Sequence, residues 1–283
     1  MRIFVTGGTG FVGKHVVAEL QKRGHKLLIL SRQNTKSGPR STFLRGDLSS
    51  VKKWQGKLAR FKPQAAIHMA WEGIPDYGPE MSLKNFSEGI ALVRALGKAG
   101  CKKVVATGSC WEYGRDSGKI GEDTDPRPTN AFSAAKTALH WLGRETAKEY
   151  GMEFVWARIF YVYGPGQKAS SLIPHLIADK RVGTLPVVKN PNGGNDFVYV
   201  GDVARALRML IEKKTPHGIY NIGAGRVTGV REVARAVYGK DVIARKGPAR
   251  GFYADIARIK KDVGWKPNIS ITAGVRAMMD VLS

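Results

Sequence analysis

The chain has 283 residues, with 46 lysines and arginines against 23 aspartates and glutamates, a formal net charge of +23. That length suits one large domain or two fused ones, and 43% apolar with 9% aromatic residues is too much for a disordered chain. No apolar run approaches the ~18 residues of a membrane span, and the opening Met1-Arg2-Ile3-Phe4-Val5-Thr6-Gly7 meets glycine too early for a signal peptide. Two cysteines, Cys101 and Cys110, give no disulfide framework, so a reducing cytoplasm is the expected setting. The basic groups are short and spread along the chain (Lys52-Lys53, Lys260-Lys261), with no zinc-finger spacing and no RNA-binding aromatic motif. The excess charge therefore reads as surface character or attraction to phosphorylated small molecules, with no nucleic-acid partner and no membrane.

In chain order, Arg2–Val5 reads as a buried strand, Phe11–Arg23 as a helix and Lys26–Leu30 as a second strand. Further strand–helix pairs are expected at Ala65–Met69 with Met81–Lys98, then Lys103–Ala106, then Ala131–Tyr150 followed by Glu153–Phe160. Strands alternating with helices of ten to twenty residues imply an α/β fold, a Rossmann-like doubly wound parallel sheet. After Gly166 the rhythm loosens. Ser171–Lys180 reads as helix, Val187–Gly194 as a Pro/Gly/Asn-rich connection, Asp196–Val200 as strand, then a helix through Glu212 and a strand at Ile219–Ile222. We expect a nucleotide-binding domain over residues 1–165, with 195–222 returning to it. Residues 166–194 and 223–283 form the expected smaller substrate-binding lobe.

Thr6-Gly7-Gly8-Thr9-Gly10-Phe11-Val12-Gly13 sets three glycines, Gly7, Gly10 and Gly13, between the first strand and the first helix. Such a loop tightens a turn, lets backbone approach a pyrophosphate and lets helix pack on strand, while the helix N-terminus faces the phosphates with unpaired N–H groups. The second strand ends in Leu30-Ser31-Arg32-Gln33, where a carboxylate for a ribose 2′-hydroxyl would stand in an NAD site. Ser31 and Arg32 suit a 2′-phosphate instead, so NADP(H) is favoured over NAD(H) as the cofactor.

Further motifs are Gly46-Asp47-Leu48, Ala66-Ile67-His68-Met69-Ala70, Gly108-Ser109-Cys110-Trp111-Glu112-Tyr113-Gly114 and Arg158-Ile159-Phe160-Tyr161-Val162-Tyr163-Gly164-Pro165. Asp196-Phe197-Val198-Tyr199-Val200-Gly201-Asp202-Val203 and Gly264-Trp265-Lys266-Pro267 follow. With the glycine loop, these resemble the extended short-chain dehydrogenase/reductase superfamily of nucleotide-sugar epimerases, dehydratases and ketoreductases, over nearly the whole chain. The resemblance implies cofactor contacts from Gly7, Gly10, Phe11, Val12, Gly13, Ser31, Arg32, Asp47, Leu48, Met69, Ala70, Trp71 and Lys136. In that superfamily a Ser/Thr hydroxyl bonds the reacting oxygen. A tyrosine phenol passes the proton, and a lysine four residues on holds the ribose and lowers the phenol's pKa.

Ser109 matches the Ser/Thr and Lys136 the lysine, but the tyrosine position holds Phe132. A phenyl ring carries no ionisable group, and losing a general acid or base costs ~10²–10⁴ in rate. Three explanations stay open: a deliberate Tyr→Phe change, another acid in the site, or a change of role to binding. Glu112 and Tyr113 are candidate surrogates.

The dehydratases' Asp-Glu pair after the Ser/Thr is Cys110-Trp111 here, which argues against a 4,6-dehydratase. The motifs look most like those of the 4-ketoreductases of NDP-6-deoxyhexoses, with an NDP-sugar 4-epimerase or a non-catalytic binding protein as alternatives. A nucleotide-diphosphate sugar is the expected partner, contacted by Ser109, Cys110, Trp111, Tyr161, Arg245 and Arg250. Asn195 stands where relatives often carry a diphosphate-binding arginine. The six histidines show no metal-ligand spacing, so no metal is expected. The resemblance also implies a homodimer through a four-helix contact, made by the helices around Met81–Lys98 and Ala131–Tyr150 and burying Leu92, Leu96 and Leu139.

Overall fold

A computed structural model describes residues 1–282 except 34, 116, 189, 245 and 246. In chain order it begins with β1 (Arg2–Thr6), α1 (Phe11–Lys22), β2 (Lys26–Ser31), β3 (Ser41–Arg45), α2 (Val51–Phe61) and β4 (Ala65–His68). Next come α3 (Pro79–Lys98), β5 (Lys103–Ser109), β6 (Gly118–Ile120), α4 (Ala131–Glu149), β7 (Glu153–Ile159), β8 (Tyr161–Tyr163) and α5 (Leu172–Arg181). The chain closes with β9 (Gly194–Asn195), β10 (Phe197–Tyr199), α6 (Val200–Glu212), β11 (Ile219–Ile222), β12 (Thr228–Gly229), α7 (Val230–Tyr238), β13 (Phe252–Ala254), α8 (Ala257–Val263) and α9 (Ile271–Leu282).

These elements divide into two compact units. The first holds residues 1–114, 125–158 and 204–220. Its sheet runs β11-β7-β5-β4-β1-β2-β3, with parallel pairings at β1–β2, β2–β3, β1–β4 and β4–β5. This is the doubly wound order expected from the βαβ rhythm, and its strand order, not its strand direction, reverses beside β1, where such sheets open a ligand crevice. Alternate strand residues feed opposite faces. Phe4, Leu28, Ala66 and Val104 join one core with Trp54 and Leu58 of α2, Leu92 and Leu96 of α3, and Leu139 of α4. Ile3, Val5, Ile29 and Ile67 are fully buried on the other face. Burial on both faces is why these strands read as unbroken apolar runs.

Leu92, Leu96 and Leu139 thus lie inside the chain's own core, and the expectation that a partner buries them is corrected. The exposed apolar side chains on α3 and α4 are Leu83, Trp141 and Leu142. β3 and α2 add a strand–helix pair that is not among the elements expected above.

The second unit holds residues 115–124, 159–203 and 221–283. Strand pairing explains where its limits depart from the expected boundaries. β13 pairs in parallel with β6, which takes residues 115–124 into this unit, and β8 pairs with β10, which keeps residues 159–203 together. Ile173, Leu176, Val233, Val237, Val275 and Met278 pack α5, α7 and α9 into one core. Two carboxylates from the Asp196–Val203 motif pin its loops. Asp196 accepts the backbone N–H groups of Ala224, Gly225 and Ala254, while burial pushes its pKa up to about 6. Asp202 accepts those of Asn268 and Ile269, each at 2.9 Å, and its carbonyl takes the Trp265 indole N–H at 3.0 Å. No helix among the described residues is long and apolar enough to cross a membrane.

Candidate functional site

The glycine loop joins β1 to α1, and each glycine has its own geometric reason. Gly7 has φ 72°, and a Cβ there would stand 2.7 Å from the Ala70 nitrogen, so only glycine lets the loop after β4 come this close. At Gly13 a Cβ would fall 1.9 Å from the Gly7 carbonyl oxygen, which fixes how tightly α1 meets the turn. Gly10 is the N-cap of α1 and supplies no side-chain cap. A Cβ there would meet only the Gly7 oxygen, at 3.3 Å. The first N–H groups of α1 are therefore left for an anion.

Beside this loop lies a cavity of about 230 Å³. Gly7 and Gly10 form one part of its wall, and Ser31, Arg32, Asp47 and Leu48 another, with Met69, Ala70 and Trp71 closing it. Phe11, Val12 and Gly13, in the first turn of α1, do not line it, and neither does Lys136. Asp47 accepts hydrogen bonds from the Ser49 and Ser50 hydroxyls, which hold its carboxyl below the usual range, Ser49 foremost. Ser31 is buried with its hydroxyl bonded to the Gln33 carbonyl at 3.1 Å. Arg32 is exposed and pairs with Glu72 at 2.7 Å, and Lys84 holds the other Glu72 oxygen at 2.5 Å. Those contacts, led by the Lys84 hydrogen bond, keep Glu72 ionised below its ordinary range.

The catalytic candidates gather at the C-terminal end of β5 and the start of α4. Asn130 and Ser133 cap α4 reciprocally, and this fixes the turn that carries Phe132 and Lys136 on one face. Phe132 is buried within three other rings. Trp71 lies 5.3 Å from it, Tyr77 5.2 Å and Trp111 5.9 Å between centroids, all edge-on. Lys136 is 6% exposed, donates from Nζ to the Thr107 carbonyl at 2.8 Å, and stands 4.1 Å from the centre of the Trp71 ring. Burial pulls its pKa down to about 7, against a smaller pull upward from Glu112. His68 Nδ1 lies 2.7 Å from Thr6 Oγ1, and burial, then the Lys136 charge, hold the ring neutral with a pKa of about 3.

Ser109 Oγ accepts the Trp111 backbone N–H at 3.2 Å, so its own O–H remains available to a reacting oxygen. Cys110 is buried, and Trp111 is half-buried against Tyr77, 5.2 Å between ring centroids. Neither surrogate acid is placed for proton transfer. Glu112 is fully buried and accepts from the Ser109 N–H at 2.7 Å, the Trp156 indole at 3.0 Å and Arg158 Nε at 3.0 Å. Burial raises its pKa even against Arg158. Tyr113 is fully buried beneath the Arg158 guanidinium, 4.5 Å from the ring centre.

Among the remaining substrate candidates, Tyr161 is half-buried against Phe197 and Phe252 in the second unit. Arg250 is exposed there, with its backbone bonded to Asn192 and Gly194. Arg245 lies outside the described residues. Sequence reasoning missed Tyr77, Thr107, Glu72 and Asn85. Tyr77 sits on the Gly73–Gly78 connection, where no periodicity marks a residue as inward-facing.

An open glycine turn at the head of β1, an aromatic-lined lysine one turn past a helix cap and a serine at the end of β5 define a nucleotide-binding α/β protein of the dehydrogenase/reductase type. Its sequence matches the NAD dependent epimerase/dehydratase family over residues 3–223, and the chain belongs to that family of NAD(P)-dependent enzymes acting on nucleotide sugars. It is 26% identical to a UDP-glucose 4-epimerase of Lacticaseibacillus casei, over 95% of this chain and 92% of that one. With the dTDP-4-dehydro-6-deoxyglucose reductase of Escherichia coli it shares 23%, over 96% and 95%. Among solved structures, MoeE5 in complex with UDP-glucose and NAD superposes with a TM-score of 0.82 at 26% identity, covering 100% of both chains. The UDP-glucose 4-epimerase of Thermotoga maritima shares the fold, with a TM-score of 0.86 at 23% identity over 100% of this chain and 98% of that one.

Proposed function

We propose that the chain binds a nicotinamide dinucleotide and an NDP-4-keto-6-deoxyhexose and reduces the sugar at C4, at a rate depressed by Phe132. The observation that carries this reading is the Ser109–Phe132–Lys136 arrangement, complete except for one hydroxyl. Bound dinucleotide would supply the hydride. Gly7 and Gly10 would receive its diphosphate, Asp47 and Leu48 its adenine, and Lys136 the nicotinamide ribose. Ser109 would donate its O–H to the C4 oxygen, with Cys110 and Trp111 along the sugar. Arg32 beside Ser31 supports NADP(H) over NAD(H), since a guanidinium suits a 2′-phosphate. The UDP-glucose 4-epimerases among its relatives support a UDP-sugar 4-epimerase as the second reading.

The decisive assay compares NADPH oxidation by the unsubstituted chain and by Phe132→Tyr on NDP-4-keto-6-deoxyhexoses. The variant should gain about 10²–10⁴ in turnover. No gain on any such sugar would leave a protein that binds these ligands without turning them over. We further propose a homodimer that buries Leu83, Trp141 and Leu142. Leu142→Glu should then halve the particle mass in solution, and an unchanged mass excludes this face.

A further inference from the structure

The nicotinamide end of the candidate cleft differs from its adenosine end. The cavity runs from the glycine loop to Asp47 and stops at Trp71 and Glu72; Ser109, Phe132 and Lys136 are not on its wall. Lys136 has one N–H committed to the Thr107 carbonyl, and the Trp71 ring lies 4.1 Å from the same nitrogen. A ribose hydroxyl reaching Lys136 needs the space that the indole fills. We propose that the Trp71 indole is a displaceable cap on Lys136, leaving an open half-site for an adenosine-diphosphate moiety and a closed one for a nicotinamide riboside.

The backbone beneath the cap is fixed. Asn85, itself buried, accepts the Glu72 N–H at 2.6 Å and donates to the Glu72 and Met81 carbonyls at 3.1 and 2.8 Å. Two residues before Glu72, Ala70 is pressed against Gly7. The indole packs on the edge of the first unit's core and makes no hydrogen bond among the described residues. Its Nε1–H is buried with no acceptor among the described residues, and its neighbours are the Phe132 edge and the lysine. Displacement is therefore a side-chain rotation. It gives up a desolvated cation–π contact, an effect on the order of thirtyfold in an equilibrium constant. The low pKa of Lys136, about 7, fits an ammonium sealed from water. An adenosine diphosphate lying between Gly10 and Asp47 leaves the cap in place.

This inference rests on the dinucleotide reading, and titration calorimetry with ADP and with NAD⁺ separates the two. Trp71→Ala should shift the ratio of NAD⁺ to ADP affinity at least about tenfold toward NAD⁺. Without any substitution that could disturb folding, NAD⁺ should change the unsubstituted chain's tryptophan emission and ADP should not; Trp71→Phe should abolish that change. An equal ratio with and without Trp71, with ADP bound by both, overturns the cap and leaves the dinucleotide reading standing. Binding of neither ligand by either protein overturns the dinucleotide reading and the cap with it.

Discussion

Phe132 sets a ring, and no oxygen, 5.9 Å from the Nζ of Lys136 one helical turn along α4. The lysine is left in apolar surroundings, and burial draws its pKa from 10.5 to about 7. Between those values the unfolded chain binds the proton more tightly than the folded one. The penalty is therefore full below about pH 7 and fades as pH rises toward 10.5. Lys136→Met should raise the thermal midpoint at pH 6.5 and lose that advantage near pH 10. Loss of the bond to Thr107 costs about 1 kcal/mol, less than the few kcal/mol relieved. A midpoint lowered at pH 6.5 would show that the ammonium is solvated.

Tyr77 is the only one of the four packed rings with an ionisable hydroxyl, and it touches both Phe132 and Trp111. If an aromatic hydroxyl supplies a proton in this chain, Tyr77, packed on Phe132, is the candidate to test. Tyr77→Phe should then lower the residual turnover of the unsubstituted chain by tenfold or more. In the Phe132→Tyr background the same change should matter little, because a phenol again stands one turn from Lys136. Equal losses in both backgrounds would mean that Tyr77 only packs.

The βαβ rhythm, the glycine turn and the missing hydroxyl at position 132 were all legible in the sequence, because each is a local pattern. The aromatic enclosure was not. Its rings come from the segments after β4 and β5 and from the start of α4, and only the fold brings them together. α2 was missed although its pattern was present: Val51, Trp54, Leu58 and Phe61 fall at helical spacing and all pack in or against the core. Leu92, Leu96 and Leu139 show the opposite failure. Their spacing correctly marks a buried stripe, but periodicity cannot distinguish the chain's own core from a partner's surface. The motif around Ser109 misled in another way. Glu112 sits beside the serine in sequence, yet the fold spends its carboxylate on Trp156 and Arg158.

Gly10 and Gly13 should respond differently to the same small change. Gly13→Ala forces a methyl to 1.9 Å from the Gly7 carbonyl, so the turn must shift. That strain should cost on the order of 1–3 kcal/mol of stability and abolish ADP binding. Gly10→Ala meets the same oxygen only at 3.3 Å. It should fold within about 1 kcal/mol of the unsubstituted chain while weakening ADP, because the added methyl stands where backbone would approach the diphosphate. Matched denaturation and calorimetry curves check both, and parallel losses of stability in the two variants would refute the distinction.

Arg32 and Glu72 meet at 2.7 Å on the wall of the cavity beside the glycine loop, with Lys84 on the far carboxylate oxygen. A 2′-phosphate approaching Arg32 competes with Glu72 for the guanidinium and is repelled by the carboxylate. The pair is exposed, so each charge there is worth no more than about 1 kcal/mol, a few-fold in affinity. Glu72→Gln should therefore tighten NADPH several-fold and leave NADH nearly unchanged. Arg32→Ala should weaken NADPH alone, with the difference shrinking as salt is added because exposed charges are screened over about 10 Å at 0.1 M. If the unsubstituted chain holds NADH more tightly than NADPH and Arg32→Ala alters both equally, Arg32 is a surface cation paired to Glu72 and selects no cofactor.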